Sequence, residues 1–550
     1  MTGFEIPLGK RSRQYRFFEM LPGIMSWGAL IILIVLAVVS PLLCAVYLLL
    51  IFATTLMKAV GVAYHTLRGS KRLNEAQKLN WRSRLDGLED PSAADLARFR
   101  SSNAYFDKQY VRQMERLVAS RETYPKPSEI YNAVIIPMYN ETFEVLDGTV
   151  QEISRGSYEN KHLIIVIAYE ERGGEAGKEV AKRIKEKYKD VFYELLTVMH
   201  PKNLPNEVIG KGGNITFAGR QLQEFLNSQK LGYEKVIVTT LDSDNRPHRE
   251  YFSYVTYEYI IHPGRKRLSF QPISLFLNNI WDVPAPMRVV ATGNSFWNII
   301  SAMRPHTLRN FASHSQPMDA LVEMQFWSTR TIVEDGHQYW RSYIHFKGSY
   351  DTVAIFVPIY QDAVLSDTYV RTLKAQFVQL RRWAYGASDV PYVAVQLFTR
   401  KRQVPFWAGF TRLVRLIDGH VTLASVPLLV AFGGWVPLLL NSEATRSVAA
   451  NQLPEVLGVM QRCAMVGLVI TVFLGFKMLP PRPARYKRRR TVGMLAQWVL
   501  MPVTSIAYSA VSAYYSQTRL LIGNYMTKFD VTDKAVMLAT KDGEIIDIKK

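Results

Sequence analysis

Cysteine is nearly absent from this 550-residue chain: there are two, Cys44 and Cys463. Both lie inside apolar runs, so a disulfide framework is excluded, no metal-ligand spacing exists, and a working face in reducing cytosol is expected. Acidic residues are also few, 47 against 67 lysines and arginines, giving a formal charge of +20. That imbalance alone would suggest nucleic acid. The basic residues, however, crowd beside apolar runs. Lys10, Arg11, Arg13 and Arg16 precede the first run, Arg68, Lys71 and Arg72 follow it, and Lys487–Arg490 separate two later ones. Positive charge held on the cytoplasmic side of a membrane explains this pattern, and no nucleic-acid partner is expected. No cleavable signal peptide is expected either, because the first apolar stretch is too long and has no small-residue cleavage site.

Hydrophobic residues make up 48% of the chain, yet the mean hydropathy is only −0.03. A water-soluble domain joined to membrane segments fits, as two or three structural units. Residues 22–63 are almost wholly apolar. As helix they would run roughly 60 Å, about twice a bilayer core. The break at Ser40-Pro41 predicts a hairpin of two spans within residues 1–67, followed by a charged helical connector over 68–129. From 130 to 390, short apolar strands such as Ala133–Pro137, Leu163–Ala168 and Lys235–Leu241 alternate with amphipathic helices. That predicts an α/β domain with a largely parallel sheet and functional residues at its carboxyl edge.

Interfacial helices are expected over 391–415 and a membrane region over 416–526, with a cytosolic tail at 527–550. Leu416–Leu440 and Val456–Met478 are long enough to span. Residues 491–526 read either as a second hairpin or as one span plus an interfacial helix. Arg415, Asp418 and His420 open the third span. Such groups line a path for a polymer or lipid carrier, or else lie at headgroup level.

Four short motifs follow one another in order: Val134–Glu141 (Val-Ile-Ile-Pro-Met-Tyr-Asn-Glu), Leu241–Asp244 (Leu-Asp-Ser-Asp), Val333–Gly336 (Val-Glu-Asp-Gly) and Gln379–Trp383 (Gln-Leu-Arg-Arg-Trp). Asp242 and Asp244, two apart at a strand end, suit a hard divalent cation that also bridges phosphate oxygens; the bland alternative is a solvated turn. Gln379, Arg382 and Trp383 share one helical face, on which the indole can stack on a sugar ring and the guanidinium can pair with a diphosphate. An amphipathic helix anchored at the membrane surface by its Trp explains the same spacing.

In order and spacing these motifs resemble the family 2 glycosyltransferases, especially the membrane-embedded cellulose, chitin and hyaluronan synthases. The resemblance covers roughly residues 130–390 and implies a cytosolic α/β GT-A (Rossmann-like, nucleotide-sugar-binding) domain on an α-helical transmembrane bundle. It implies a UDP- or GDP-sugar donor, a divalent metal (Mg²⁺ or Mn²⁺), and transfer with inversion to a growing polysaccharide; transfer of one sugar to a lipid carrier or short glycan is the alternative. Pro137, Tyr139, Glu141, Asp242, Asp244 and Arg382 would face the donor, with Asp244 the direct metal ligand and Asp242 nearer the nucleotide. Asp335 would be the general base, its basicity raised by Glu334; a helix N-terminal acid pair is the competing reading.

Lys211-Gly212-Gly213 resembles the family's Lys-Gly segment at the phosphates, or is an ordinary glycine turn. Gln379, Trp383, Thr292 and Gly293 would contact the acceptor. Phe529, Val531, Thr532 and Lys534 match the Phe-x-Val-Thr-x-Lys gating loop of cellulose synthases, or form an edge strand. The chain departs from the family after the second strand, where Glu170-Glu171 replaces an Asp-rich turn, which leaves the nucleotide base open. Membrane lipids are expected partners, and five or six spans would need a second subunit to complete a channel. A transporter with a nucleotide-sensing domain is the reading from another class, and it gives Asp335 no role.

Overall fold

The computed structural model describes residues 5–119, 124–442, 446, 448–528, 537–539 and 545–547. Its centre is an eight-stranded sheet: β1 (Tyr131–Met138), β2 (Leu163–Glu170), β3 (Glu194–His200), β4 (Val236–Thr240), β5 (Arg246–Pro247), β6 (Leu268–Leu275), β7 (Ser315–Pro317) and β8 (Asp351–Tyr360). The order across the sheet is β3-β2-β1-β4-β7-β6-β8-β5. Strands β3, β2, β1 and β4 are parallel, β7 is antiparallel to both β4 and β6, and β6 pairs parallel with β8. The runs Val134–Ile136 and Ile164–Ala168 are fully buried, as strands covered on both faces require. Alternate residues feed two cores: Val134, Ile136, Ile165 and Ile167 pack on one face, Ala133, Ile135, Ile164 and Val166 on the other. The expected α/β domain is present, with helical membrane segments beside it.

Among the described residues, four helices are long and apolar enough to cross a membrane: Arg13–Val39, Pro41–Gln77, Phe406–Leu440 and Arg488–Ile522. The break falls at Ser40, which is extended, and its hydroxyl accepts the Leu43 N–H at 3.4 Å. The second helix continues past residue 67 to Gln77 and delivers Trp81 onto Tyr254, ring centroids 3.5 Å apart. Its length thus ties the membrane region directly to the α/β core. A further helix, Val448–Met478, lies along Pro41–Gln77, where a Cβ on Gly467 would stand 3.7 Å from Ala63; small residues permit such close approach.

Residues 488–522 form one continuous helical run with a π-turn at Ser505–Ala510. Both of its ends meet the α/β domain. Near its start, Arg490 donates to the Trp281 carbonyl at 3.0 Å and Gln497 accepts from Arg288 at 2.5 Å. Beyond its end, Met526 N–H donates to the Tyr385 hydroxyl at 3.2 Å, and Lys528 bridges to Ile209 in parallel. In between, Tyr515 packs on Phe377 and Ser516 donates to the Arg381 carbonyl at 2.5 Å. The run therefore lies along the helix Tyr369–Ala384, which carries Gln379, Arg382 and Trp383.

Candidate active site

The carboxyl ends of β1, β2 and β4 are side by side, and the first two motifs sit on them. After β1, the Glu141 carboxylate accepts the N–H groups of Tyr139 (2.7 Å) and Asn140 (3.2 Å), which closes the turn. Pro137 stays in register with Ala168 inside the sheet. At the end of β2 the two glutamates part. Glu170 is buried and ion-paired with Arg172, whose guanidinium also lies 5.4 Å from the Tyr139 ring. Burial raises the Glu170 carboxyl above its usual range despite that arginine. Glu171 turns outward to accept the Lys202 N–H at 2.9 Å, and this bond holds its carboxyl below the usual range. Of the pair, Glu170 is the one beside Tyr139.

Asp242-Ser243-Asp244 leaves β4 as a tight turn, with Asn245 N–H donating to the Asp242 carbonyl at 3.0 Å. Thr149 donates to the Ser243 carbonyl at 2.5 Å, Asn278 to the Asp244 carbonyl at 3.3 Å, and Asn245 to Ser313 at 2.5 Å. The turn is thus held from three directions. Asp244 is 3% exposed, whereas the Asp242 side chain is 37% exposed.

Lys211 is the hub. Its Nζ lies 2.9 Å from Asp242 Oδ1, 3.1 Å from Asp335 Oδ2 and 3.9 Å from Glu334 Oε1. Burial would lower its pKa, but the three carboxylates outweigh burial and hold it above the ordinary lysine value. Lys211-Gly212-Gly213 is not a turn; it is the first turn of the helix Lys211–Ser228. A Cβ on Gly212 would stand 2.4 Å from the Ser328 carbonyl oxygen and 3.2 Å from the Glu334 Cβ, and one on Gly213 2.7 Å from Glu207 Oε2. The glycines let this helix end close against Glu334.

Glu334 and Asp335 begin the helix Glu334–His345, so the macrodipole favours both. Their environments differ sharply. Glu334 is buried, with Oε2 lacking a hydrogen bond among the described residues. Burial first and the charge of Asp335 second push its carboxyl up, while Lys211 and Arg382 oppose them. Like-charge proximity thus acts on Glu334. Asp335 remains part-exposed beside His314, whose Nδ1 is 3.9 Å from Asp335 Oδ1.

His314 was not singled out from sequence, where a lone histidine gives no signal. It is fully buried, and its Nδ1–H donates to the Phe311 carbonyl at 2.8 Å while Nε2 accepts from the Trp327 indole at 3.3 Å. Those two bonds fit the neutral ring, and burial lowers its pKa accordingly. A second unforeseen pair, His337 Nδ1 with Asp389 Oδ1 at 2.7 Å, is buried and joins this helix to the segment beyond Trp383.

On the helix Tyr369–Ala384, Gln379 accepts from Gln376 at 3.1 Å, and Trp383 is 40% exposed with its ring 6.0 Å from Phe276. Phe276 N–H in turn donates to Ser295 at 3.0 Å on the helix Ala285–Ala302, which bears Thr292 and Gly293. Thr292 faces the membrane-side helix, its Cγ2 3.4 Å from where a Gly475 Cβ would be; a Cβ on Gly293 would meet nothing within 4 Å. Phe529, Val531, Thr532 and Lys534 lie outside the described residues.

No protein-family model matches the sequence, and no curated protein matches it either. Solved structures with a similar outline exist. A mannosyltransferase, PcManGT from Pyrobaculum calidifontis in complex with GDP-Man and Mn²⁺, is 14% identical at a TM-score of 0.40, over 78% of this chain and 99% of that one. TarS 1-349 of S. aureus in complex with UDP-GlcNAc is 12% identical at 0.35, over 76% and 99%. The same fragment in complex with UDP is 10% identical at 0.34, over 76% and 98%.

Proposed function

We propose that this chain is a membrane-bound, inverting glycosyltransferase that moves a sugar from a nucleoside-diphosphate donor to a growing polysaccharide at the cytoplasmic face. One observation carries the reading. Acids from two motifs far apart in sequence, Asp242 and Glu334-Asp335, converge on Lys211 at the carboxyl edge of the sheet. The run β3-β2-β1-β4 with antiparallel β7 beside it supports a GT-A nucleotide-sugar domain. The diphosphate neighbours PcManGT with GDP-Man and TarS with UDP-GlcNAc or UDP agree with such a donor.

Asp244 and Asp242 are the residues that would hold a Mg²⁺ or Mn²⁺ ion, which would supply charge neutralisation for a diphosphate leaving group. Two carboxylates with phosphate oxygens completing the shell suit such an ion; among the described residues no cluster of three His, Cys, Asp or Glu side chains does so alone. Lys211 holds Asp335 and Asp242 before the donor enters, and the diphosphate draws its ammonium away. Asp335 then accepts the proton of the acceptor hydroxyl as that oxygen bonds to the anomeric carbon; the bond to the diphosphate breaks, and the nucleotide leaves with the electron pair. Neutral His314, with both ring nitrogens bonded elsewhere, stands beside Asp335 without competing for the proton. Tyr139, Arg172 and Glu170 flank the base, Arg382 meets the phosphates, and Trp383 offers its exposed face to the acceptor sugar.

The parallel bridge of Lys528 to Ile209, two residues before Lys211, supports a gating role for Phe529, Val531, Thr532 and Lys534. Transfer of one sugar to a lipid carrier or short glycan is the second reading, and the same acid pair and lysine would serve it.

The test is release of nucleoside diphosphate by detergent-purified protein across UDP- and GDP-sugars with Mg²⁺ or Mn²⁺. Turnover with one donor, lost in Asp335→Asn while nucleotide still binds, is expected. Absence of nucleotide binding with every donor would overturn the reading, and sizing the product separates polymer from single transfer.

A further inference from the structure

The helix Pro41–Gln77 carries Lys58, Gly61, His65 and Arg68, spaced so that they fall on one face. The helix Phe406–Phe432 carries Arg415, Asp418 and Thr422 in the same way. The two stripes meet where Lys58 Nζ lies 3.0 Å from Asp418 Oδ2 and 3.4 Å from Thr422 Oγ1. A third element closes the end nearer the α/β domain. Arg304 and His306 follow the helix Ala285–Ala302, and an Arg304 guanidinium nitrogen lies 3.3 Å from where a Gly61 Cβ would stand. His65 is an electrostatic neighbour of Arg304, Arg68 and His306, and His306 of Arg304 and Arg415.

Four basic side chains, Lys58, Arg68, Arg304 and Arg415, therefore line the cleft where these elements meet, with the Asp418 carboxylate paired to Lys58 in it. Lys58 and Asp418 remain 52% and 57% exposed, and Met57, Val60 and Tyr64 expose apolar surface on the same helix. At about 1.5 Å per residue Lys58 stands roughly 26 Å from the Ser40 turn, near the far boundary of an ~30 Å hydrocarbon layer. Basic side chains that merely snorkel reach the headgroups separately. Here basic side chains from three elements lie side by side along one stretch of the helix, with net positive charge at the level where lipid phosphates lie.

We propose that this cleft binds the phosphate of an anionic membrane lipid, with the lipid tail against Met57, Val60 and Tyr64. The binding does not depend on the transferase reading; only a role of that lipid as acceptor does.

The full chain, reconstituted in phosphatidylcholine nanodiscs doped with phosphatidylglycerol or with a polyprenyl phosphate, is assayed for retained lipid by native mass spectrometry. The acidic lipid should be enriched over phosphatidylcholine. Arg304→Gln and Arg415→Gln should each lower its retention on the order of fivefold. Gly61→Leu keeps every charge but fills the mouth of the cleft, and should lower retention too. A combined Lys487→Gln, Arg488→Gln and Arg489→Gln variant, altered at a separate basic cluster, should retain the lipid. Equal retention by wild type and all cleft variants, or loss only in the combined variant, would overturn the proposal. Transfer of sugar onto the polyprenyl phosphate would make the bound lipid an acceptor, whereas retention of phosphatidylglycerol without such transfer would make it a structural headgroup. Intact retention without any nucleotide chemistry would sink the transferase reading alone.

Discussion

At the residue scale, the site assigns opposite conditions to two adjacent carboxyls. Glu334 is buried beside Asp335, and its folded pKa is raised. The folded state therefore binds more protons than the unfolded chain above the ordinary glutamate range, so the contribution of Glu334 to stability falls as pH rises through that window. Glu334→Gln should flatten the dependence of melting temperature on pH between mildly acidic and mildly alkaline buffers; an unchanged slope would contradict the assignment. Asp335→Asn should reduce turnover by about 10²–10⁴-fold, the usual range for removing a general base, with nucleotide affinity preserved. Lys211→Met removes the cation that holds three acids together. It should weaken donor binding, measured by nucleotide titration, more than it slows the bound complex.

At the scale of elements, much was legible because hydrophobic period and punctuation carry it. The apolar strand runs around Val134, Ile165 and Val238 are strands, and Ser40-Pro41 marks the hairpin. What sequence could not supply was contact between distant segments. Nothing local announces that Gly212 must clear the Ser328 carbonyl, that His314 stands behind Asp335, or that Arg490 and Lys528 bring both ends of the run 488–522 back to the α/β domain.

Two glycines separate these levels. Gly212→Ala should destabilise by about 1–3 kcal/mol, the usual cost of overpacking, and lower activity by parting Lys211 from Glu334. Gly293→Ala, with open space around it inside a helix, should stabilise by up to about 1 kcal/mol. Thermal melts of the pair would test both signs.

At the scale of the whole molecule, residues near both ends of the chain brace the site. Glu5 pairs with Arg341 at 2.6 Å and accepts from Ser328 at 2.6 Å, directly behind Gly212. Fully buried Glu19 pairs with Arg11 and with Arg16 (2.6 Å), accepts the Tyr525 hydroxyl at 2.9 Å, and Arg16 caps the carbonyls of Leu520 and Leu521. Removing one partner of such a buried network typically costs ~3–5 kcal/mol. Glu19→Ala should therefore speed limited proteolysis around residues 523–528, and Tyr525→Phe should do so only slightly. This cross-brace also sets an order of assembly. Arg16 and Glu19 are made some five hundred residues before their partners at 520–525. The candidate site thus receives this support only once residues 520–525 have been made, so a nascent chain stalled before that point would hold the motifs without the frame that aligns them.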